Sequence, residues 1–299
     1  MATTTTEPGV EKKINQIIGN IRNLPTPPIV FEQIQKVLQD PDASVGHIAN
    51  IISEDPAMSV KVLKLTNSAF YGLSREVESV KHAIMIIGLE AVKNLVLSAS
   101  VLNMFKADDT NKEFHEAFWR HSLAVAFASR LLATKFKKYG TFNPDAVFTS
   151  GLIHDIGKIV ICCFMPKEHQ QIMVSLGAVD DLDITKAEED VLGFNHAQLG
   201  RQLALQWKLP DRMADTLGFH HYPKQENTSD NHAFLIALAN NIAHLCFPST
   251  EINNSHFKVP DGVYEFFEMT EPLVEESKVE LFEEYMKAET FMQIAGGSD

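Results

Sequence analysis

VFTSGLIHDIGKIVICC, residues 147–163, is the stretch that decides the fold. It is apolar almost throughout, which predicts a buried helix, yet its middle carries His154, Asp155 and Lys158. Ionisable groups are costly to bury unless they are paired or bind a metal. His154 and Asp155 offer a neutral nitrogen ligand beside an anionic oxygen ligand, which suits a borderline divalent metal. Alone, the pattern is consistent with a metal site or with a satisfied buried polar cluster.

Helical spacing recurs on both sides of this stretch, whereas the strict alternation typical of strands is hard to find. Apolar residues in 29–38 recur at steps of three and four. Residues 79–104 are apolar over most of their surface, which predicts a central position, and Gly88 predicts a turn between two helices there. Further predicted helices span about 45–52, 56–65, 113–136, 166–176, 185–192, 195–207, 210–219 and 231–245, with an amphipathic tail from Val263. The predicted fold is therefore all-α, a multi-helix bundle.

Composition narrows the class of protein. The chain has 299 residues, of which 45% are apolar, so a sizeable core is possible. The formal net charge of -13 disfavours direct nucleic-acid binding. The sequence contains no run of 18 uncharged apolar residues, so a membrane span is not predicted. The Thr-rich segment Met1–Glu7 indicates a disordered leader and not a signal peptide. We therefore expect a cytoplasmic protein. The cysteines at 162, 163 and 246 are odd in number and indicate buried thiols, not a disulfide framework.

Four further histidines lie near apolar helical segments. His121 lies on the helix that precedes the His-Asp pair, His196 opens a later helix, and His220 and His221 end the next one. One histidine in such a place is readily explained as a core or capping residue. Five histidines with an aspartate on several helices are harder to explain in that way. Because a helical bundle can direct side chains from several helices to one point, these residues are candidates for a shared metal site.

The order His121, His154-Asp155, His196, His220-His221 resembles the HD superfamily of metal-dependent phosphohydrolases. The additional histidines are similar to those of its HD-GYP branch, which cleaves cyclic di-GMP. A further set of stretches resembles the HDOD family: Leu24-Pro25-Thr26-Pro27-Pro28, 52–58, 63–72, 86–89, 118–122 and 207–210. This resemblance covers roughly residues 20–225. It implies an HD-like helical bundle with an N-terminal helical layer, and a regulatory output module of bacterial signalling.

The resemblance also implies a role for each matching residue. Asp155 matches a carboxylate that bridges metal ions, and Lys158 matches a lysine that faces a substrate phosphate, so both would be catalytic in an active enzyme. The metal-binding residues implied are His121, His154, Asp155, His196, His220 and His221. The implied cofactor is one or two divalent transition-metal ions, such as Fe, Mn, Zn or Ni.

The chain departs from the HD pattern at the last aspartate. The matching helix is predicted at about 237–243, and its nearest residues are Asn240 and Asn241. The Gly-Tyr-Pro run after the double histidine is also missing, since Tyr222-Pro223-Lys224 stands there. Two divalent ions bring four positive charges, and Asp155 is the only anionic residue among the matched ligands. We therefore expect a degenerate site that binds one metal, binds weakly or serves structure, with Asn240 as a weak further ligand.

These observations leave more than one function open. The leading expectation is a regulatory module that acts through signalling proteins or a bound nucleotide or phosphate ligand. The alternative is a metal-dependent phosphohydrolase, such as a cyclic-dinucleotide phosphodiesterase. A third is a purely structural polar cluster without metal. The expected organisation begins with a disordered leader and a first helix at 1–19. An HDOD-like domain follows at 20–225, with an N-terminal helical layer at about 20–106 and an HD-like half at about 113–225. The helices at 226–299 are expected to complete the HD-like half.

Overall fold

The structure is a computed structural model that describes residues 8–21, 29–38, 40, 43–105, 111–179, 182–223, 231–248 and 259–296. Regular structure within these ranges is helical, and they contain no strand, which confirms the predicted all-α fold. The helices are α1 (Pro8–Asn20), α2 (Ile29–Val37), α3 (Val45–Ser53), α4 (Pro56–Thr66), α5 (Val80–Ile87), α6 (Leu89–Met104), α7 (Lys112–Lys135), α8 (Pro144–Ile153), α9 (Ile156–Phe164), α10 (Pro166–Ala178), α11 (Ile184–Leu192), α12 (His196–Gln206), α13 (Asp211–Phe219), α14 (His232–Cys246), α15 (Val263–Phe266), α16 (Glu271–Tyr285) and α17 (Ala288–Gly296). The leader at 1–7 and the motif at 24–28 lie outside the described residues.

The helices form two compact units. The larger unit spans 1–24 and 107–281, and the smaller unit spans 25–106 and 282–299. The smaller unit therefore contains α2 to α6 and α17, and the larger unit contains α1 and α7 to α15. The boundary at Leu281 divides α16 between the two units. The expected packing of the N-terminal layer on the HD-like half stays a prediction.

The core of the larger unit lies where α7 packs against α8 and α14. These three helices bury long continuous runs, such as 121–129 on α7 and 232–243 on α14. Next to this core, α12 packs on α9 and on α13. Helices with apolar residues on most of their surface need neighbours on several sides, which this arrangement provides.

The predicted single helix at 147–163 is in fact two helices. α8 ends at Ile153, α9 begins at Ile156, and the His154-Asp155 pair occupies the break. Asp155 has φ -98° and ψ 15°, outside the helical region. The physical reason is tertiary, because α9 must pass closely over the first turn of α12. A Cβ added to Gly157 would lie 2.0 Å from the carbonyl oxygen of His196, so only glycine allows this approach.

Together, residues Pro144–Phe164 are long and apolar enough to cross a membrane, although the helix breaks at their centre. Of the 18-residue window that meets this condition, 89% is buried inside the protein. Such burial is typical of the core helix of a bundle. The bent pair α5 and α6 meets the same condition only if its 119° angle is disregarded.

Local signals in the sequence set several helix ends. Ser44 caps α3 by accepting a hydrogen bond from the backbone of His47, and Asp55 caps α4 in the same way. Asn195 forms a capping box with Gln198 at the start of α12. Gly88, with φ 92°, separates α5 from α6 and confirms the turn predicted there.

The last helix corrects one expectation about domain organisation. Residues 226–299 were expected to complete the HD-like half, but α17 packs against α4 and α6 in the smaller unit. Its Phe291 is fully buried, and the ring lies 5.3 Å from that of Phe70. The carbonyl oxygen of Ala295 accepts hydrogen bonds from Lys61 Nζ at 2.8 Å and Asn103 Nδ2 at 2.7 Å. α17 therefore buries its apolar face against helices from the first third of the chain.

Candidate metal centre

The five predicted histidine ligands surround the carboxylate of the sixth predicted ligand, Asp155, in the larger unit. His121 comes from α7, the pair His154-Asp155 from the break between α8 and α9, His196 from the first turn of α12, and His220-His221 from the end of α13. Two groups of these side chains offer ligand atoms within 4.8 Å of one another: Asp155 with His196, His220 and His221, and Asp155 with His121 and His154. Asp155 is the member common to both groups.

The first group faces Oδ1 of Asp155. His196 Nε2 lies 3.1 Å from this oxygen and His220 Nε2 lies 3.3 Å from it. His221 Nε2 lies 2.9 Å from His196 Nε2. Two nitrogens that bind one ion at about 2.1 Å are on the order of 3 Å apart, so this spacing fits a shared metal.

The second group faces Oδ2. His154 Nε2 lies 3.3 Å and His121 Nε2 lies 3.9 Å from that oxygen. Lys158 Nζ lies closer, at 2.7 Å, and forms an ion pair with it. The resemblance implied a lysine that faces a substrate phosphate, whereas the structure directs Lys158 to the carboxylate. Lys158 also lines a cavity of about 10 Å³ with His169 and Glu188, which has room for about one water molecule.

Three of the histidines are held through Nδ1 so that Nε2 turns to Asp155. His154 Nδ1 lies 2.8 Å from the carbonyl oxygen of Gly151, and His220 Nδ1 lies 2.7 Å from that of Leu217. His196 Nδ1 lies 2.6 Å from Glu188 Oε2. A hydrogen bond from Nδ1 to an oxygen leaves the lone pair on Nε2, which is the arrangement of metal-binding histidines.

Burial makes most of these histidines neutral. Burial lowers the pKa of His220 to about 4, and it holds the pKa values of His121 and His221 well below the usual range. His196 differs: burial would lower its pKa, but the Glu188 carboxylate raises it. Burial would raise the pKa of Asp155, but its electrostatic interactions with neighbouring groups, among them the ammonium of Lys158, hold it well below its usual range. Neutral imidazoles around an ionised carboxylate are the forms that bind a metal.

The donor set fits a divalent metal by a second criterion. Within the described residues, several buried side-chain atoms make no hydrogen bond, and four of them belong to this cluster: Nε2 of His121, His154 and His220, and Oδ1 of Asp155. Buried polar atoms normally have partners, so such a concentration indicates a missing bonding partner. Imidazole nitrogens with one carboxylate suit Zn, Fe, Ni or Mn.

The region of the missing aspartate contains a further histidine that sequence reasoning overlooked. Asn240 is buried and its Oδ1 has no hydrogen-bond partner among the described residues, whereas Asn241 Oδ1 accepts a 2.6 Å bond from Tyr264. His244 lies one turn after Asn240, and its ring centroid is 4.4 Å from that of His121. Burial lowers its pKa to about 3, with Lys158 as the next cause. α14 therefore brings an imidazole to the His121 side of the centre.

Glu188 on α11 is the other residue that the sequence analysis missed. It is buried and accepts hydrogen bonds from both the backbone nitrogen and Nδ1 of His196. A signal for it existed, because Glu188 lies four residues from both Ile184 and Leu192, and a carboxylate at that spacing falls on the same helical face. Its carboxylate orients a ligand without belonging to either ligand group.

Known structures share this fold. An HDOD domain protein of unknown function from Geobacter sulfurreducens has a TM-score of 0.68 at 23% identity, covering 95% of this chain and 96% of its own. A protein from Shewanella amazonensis SB2B, provisionally assigned as a phosphohydrolase, has a TM-score of 0.70 at 22% identity, covering 95% and 98%. A protein from Marinobacter aquaeolei VT8, provisionally assigned to signal transduction, has a TM-score of 0.68 at 20% identity, covering 96% and 65%. At these identities the likeness establishes the fold alone.

Sequence comparison is consistent with this fold. An uncharacterized protein of Treponema pallidum (strain Nichols) is 24% identical over 208 residues, which are 69% of this chain and 39% of that protein. The chain thus spans well under two thirds of this relative. Residues 24–223 match the HDOD domain, and this range includes all six predicted histidine and aspartate ligands. The chain therefore belongs to the HDOD domain family.

Proposed function

We propose that this chain is a regulatory module of bacterial signal transduction whose His–Asp centre holds a divalent metal ion for structure and signalling, not for turnover. The observation that carries the proposal is burial. The side chains of His154, Asp155, His196 and His220 have no exposed surface. Catalytic metal sites keep a position open to water or substrate, whereas structural sites are closed.

Charge supports the same proposal. A hydrolytic centre with two ions needs several anionic ligands, and Asp155 is the only carboxylate in the two ligand groups of the described chain. Asn240 offers a neutral amide where the family pattern has an aspartate. A bound divalent ion supplies Lewis-acid charge and lowers the pKa of a coordinated water. Here the residues around it would bind and orient the ion, while their burial excludes substrate.

The setting of the module is also part of the proposal. We expect a cytoplasmic protein that acts through signalling proteins or a small nucleotide or phosphate ligand. The formal net charge of -13 gives no electrostatic support for direct nucleic-acid binding.

The proposal is tested by measuring turnover and metal content on the same preparation. The chain is purified without a metal-binding affinity tag, analysed for its elements, and then loaded separately with Mn, Fe, Zn and Ni. We expect bound metal but no hydrolysis of cyclic di-GMP or of a simple phosphodiester in any loaded form. Hydrolysis that rises with metal loading would overturn the regulatory assignment.

The second candidate function is a metal-dependent phosphohydrolase. The specific observation in its favour is the orientation of His154, His196 and His220, each with Nδ1 bonded to an oxygen and Nε2 directed to Asp155. Under this alternative, an opening of the larger unit would have to admit the substrate. Metal-dependent hydrolysis in the experiment above is the result that would favour it.

A further inference from the structure

We infer that Lys158 is the resident cation on the Oδ2 side of Asp155, so that the centre takes one divalent ion, on the Oδ1 side, and not two. This inference rests on the proposal that the centre binds metal. It concerns which of the two ligand groups is free to do so.

The first argument for one ion is the geometry on the Oδ2 side. Lys158 Nζ is 2.7 Å from Oδ2, nearer than His154 Nε2 or His121 Nε2 to the same oxygen. Lys158 follows Asp155 by three residues at the start of α9 and is only 4% exposed, so the fold keeps the ammonium on the carboxylate. A metal ion bound to that oxygen at about 2.1 Å would have to lie beside a buried positive charge.

The balance of charge carries the second step. Among the described residues, Asp155 forms an ion pair with Lys158 and Glu188 contacts His196, and these three charged side chains together carry one net negative charge. One divalent ion reverses this to one net positive charge, whereas a second ion would leave three. A buried excess of that size is costly in a medium of low dielectric constant. One ion is therefore the number that the charges support.

The ligand group on the Oδ1 side contains three imidazoles, whereas the group on the Oδ2 side contains two and lies beside the ammonium of Lys158. His196, His220 and His221 place three imidazoles at Oδ1 or at one another, with 2.9 Å between the Nε2 atoms of His196 and His221. His196 is in addition held by Glu188. Three nitrogens with one carboxylate oxygen complete a four-ligand site without the second group.

The first experiment counts ions. Wild type and Lys158→Met, which keeps the length of the side chain without its charge, are loaded with Zn or Mn, dialysed and analysed for metal per chain. The control is Lys186→Met, which removes an exposed lysine paired with Asp190 on α11. We expect one ion in wild type and in the control, and two in Lys158→Met. Two ions in wild type, or one in a folded Lys158→Met, would overturn the inference while metal binding itself stands.

The second experiment leaves Lys158 intact and therefore does not depend on that variant folding. His121→Gln and His221→Gln remove one buried imidazole each, on opposite sides of Asp155. Titration calorimetry with Zn should show a dissociation constant within about twofold of wild type for His121→Gln and at least about tenfold weaker for His221→Gln. The reverse order would place the ion on the Oδ2 side and sink the inference. No metal in any form would instead refute the metal-binding proposal, and the inference with it.

Discussion

The two oxygens of Asp155 have different neighbours: imidazoles face Oδ1, whereas Oδ2 pairs with an ammonium and has two imidazoles farther away. At the scale of single residues, most of the chemistry of this protein follows from that division. A carboxylate that bridged two ions would coordinate metal through both of its oxygens. Here, one oxygen is already neutralised by a side chain that the fold buries beside it.

Restoring a carboxylate at residue 240 should tighten metal binding. Asn240→Asp adds an anionic oxygen at nearly unchanged volume, at a buried side chain whose Oδ1 has no hydrogen-bond partner. We expect about tenfold tighter binding of Zn or Mn by calorimetry, equal to about 1.4 kcal/mol. The gain would come from the added negative charge and not from a new bond to the ion, which we place on the other side of Asp155. Asn241→Asp is the matched control, because Asn241 already bonds Tyr264, and it should show no gain. Equal affinities in both variants and wild type would mean that a charge at residue 240 does not act on the ion.

Gly157 allows α9 to approach the backbone of the candidate ligand His196. Gly157→Ala would drive a Cβ into the backbone of His196 and should lower the free energy of unfolding in urea by at least about 3 kcal/mol. Gly177→Ala on α10 is the control, since nothing lies within 4 Å of its added Cβ. That variant should be neutral or stabilised by about 0.5 to 1 kcal/mol. A Gly157→Ala protein as stable as wild type would show that α9 and α12 can separate freely.

At the scale of helices, α11 acts on the centre through a hydrogen bond. Glu188 raises the pKa of His196, so a proton competes with the metal as pH falls through that raised value. Glu188→Gln removes the charge, which should weaken metal binding about tenfold at pH 8 and shift the acid loss of metal to lower pH. Metal affinity measured from pH 5 to 8 checks both effects. Asp190→Asn, on the exposed side of the same helix, should leave the profile unchanged.

The sequence was informative where a helix end depends on its own residues. The predicted starts of the helices at 45 and 56 and the predicted turn at Gly88 agree with the structure, in which Ser44 and Asp55 cap the two helices. Such ends can be predicted because a cap or a positive φ is a local property. The break at His154-Asp155 could not be predicted in this way. Every residue from 147 to 163 is compatible with one helix, and the break results from the approach of α12, about forty residues later.

The same distinction holds for the candidate centre. The order of the histidines and Asp155 suffices to propose the ligands, since the family motif fixes them along the chain. The positions of Glu188 and His244 depend on how α11 and α14 pack, and those packings leave only weak traces in the sequence. The direction of Lys158 was unpredictable for another reason. A lysine after His-Asp can face a phosphate or the carboxylate itself, and only the geometry decides between them.

At the scale of the whole molecule, each unit is completed by a helix from the opposite end of the chain. A site-specific protease sequence inserted between residues 106 and 111 would yield a fragment with α1 to α6 and a fragment with α7 to α17. Neither fragment holds a complete unit, because α1 packs on α12 and α17 packs on α4 and α6. We therefore expect the cut protein to elute from a size-exclusion column as one species.

The same experiment contains its control. Adding Phe291→Asp to the cut protein should weaken the association, because Phe291 is fully buried within the smaller unit. Two fragments that separate and each unfold cooperatively would contradict the prediction and would show that the N-terminal layer is an independent domain.

The packing of α17 against α4 and α6 also determines when the smaller unit can finish folding during synthesis. Asn103 and its partner Ala295 are 192 residues apart in the chain. At ribosomal rates of about 5 to 20 residues per second, the smaller unit waits on the order of 10 to 40 s for its last helix. Until then, the surfaces of α4 and α6 that α17 contacts are uncovered. During that interval the nascent chain exposes apolar surface of the kind that chaperones bind. The helices made first are thus among the last to reach their final packing.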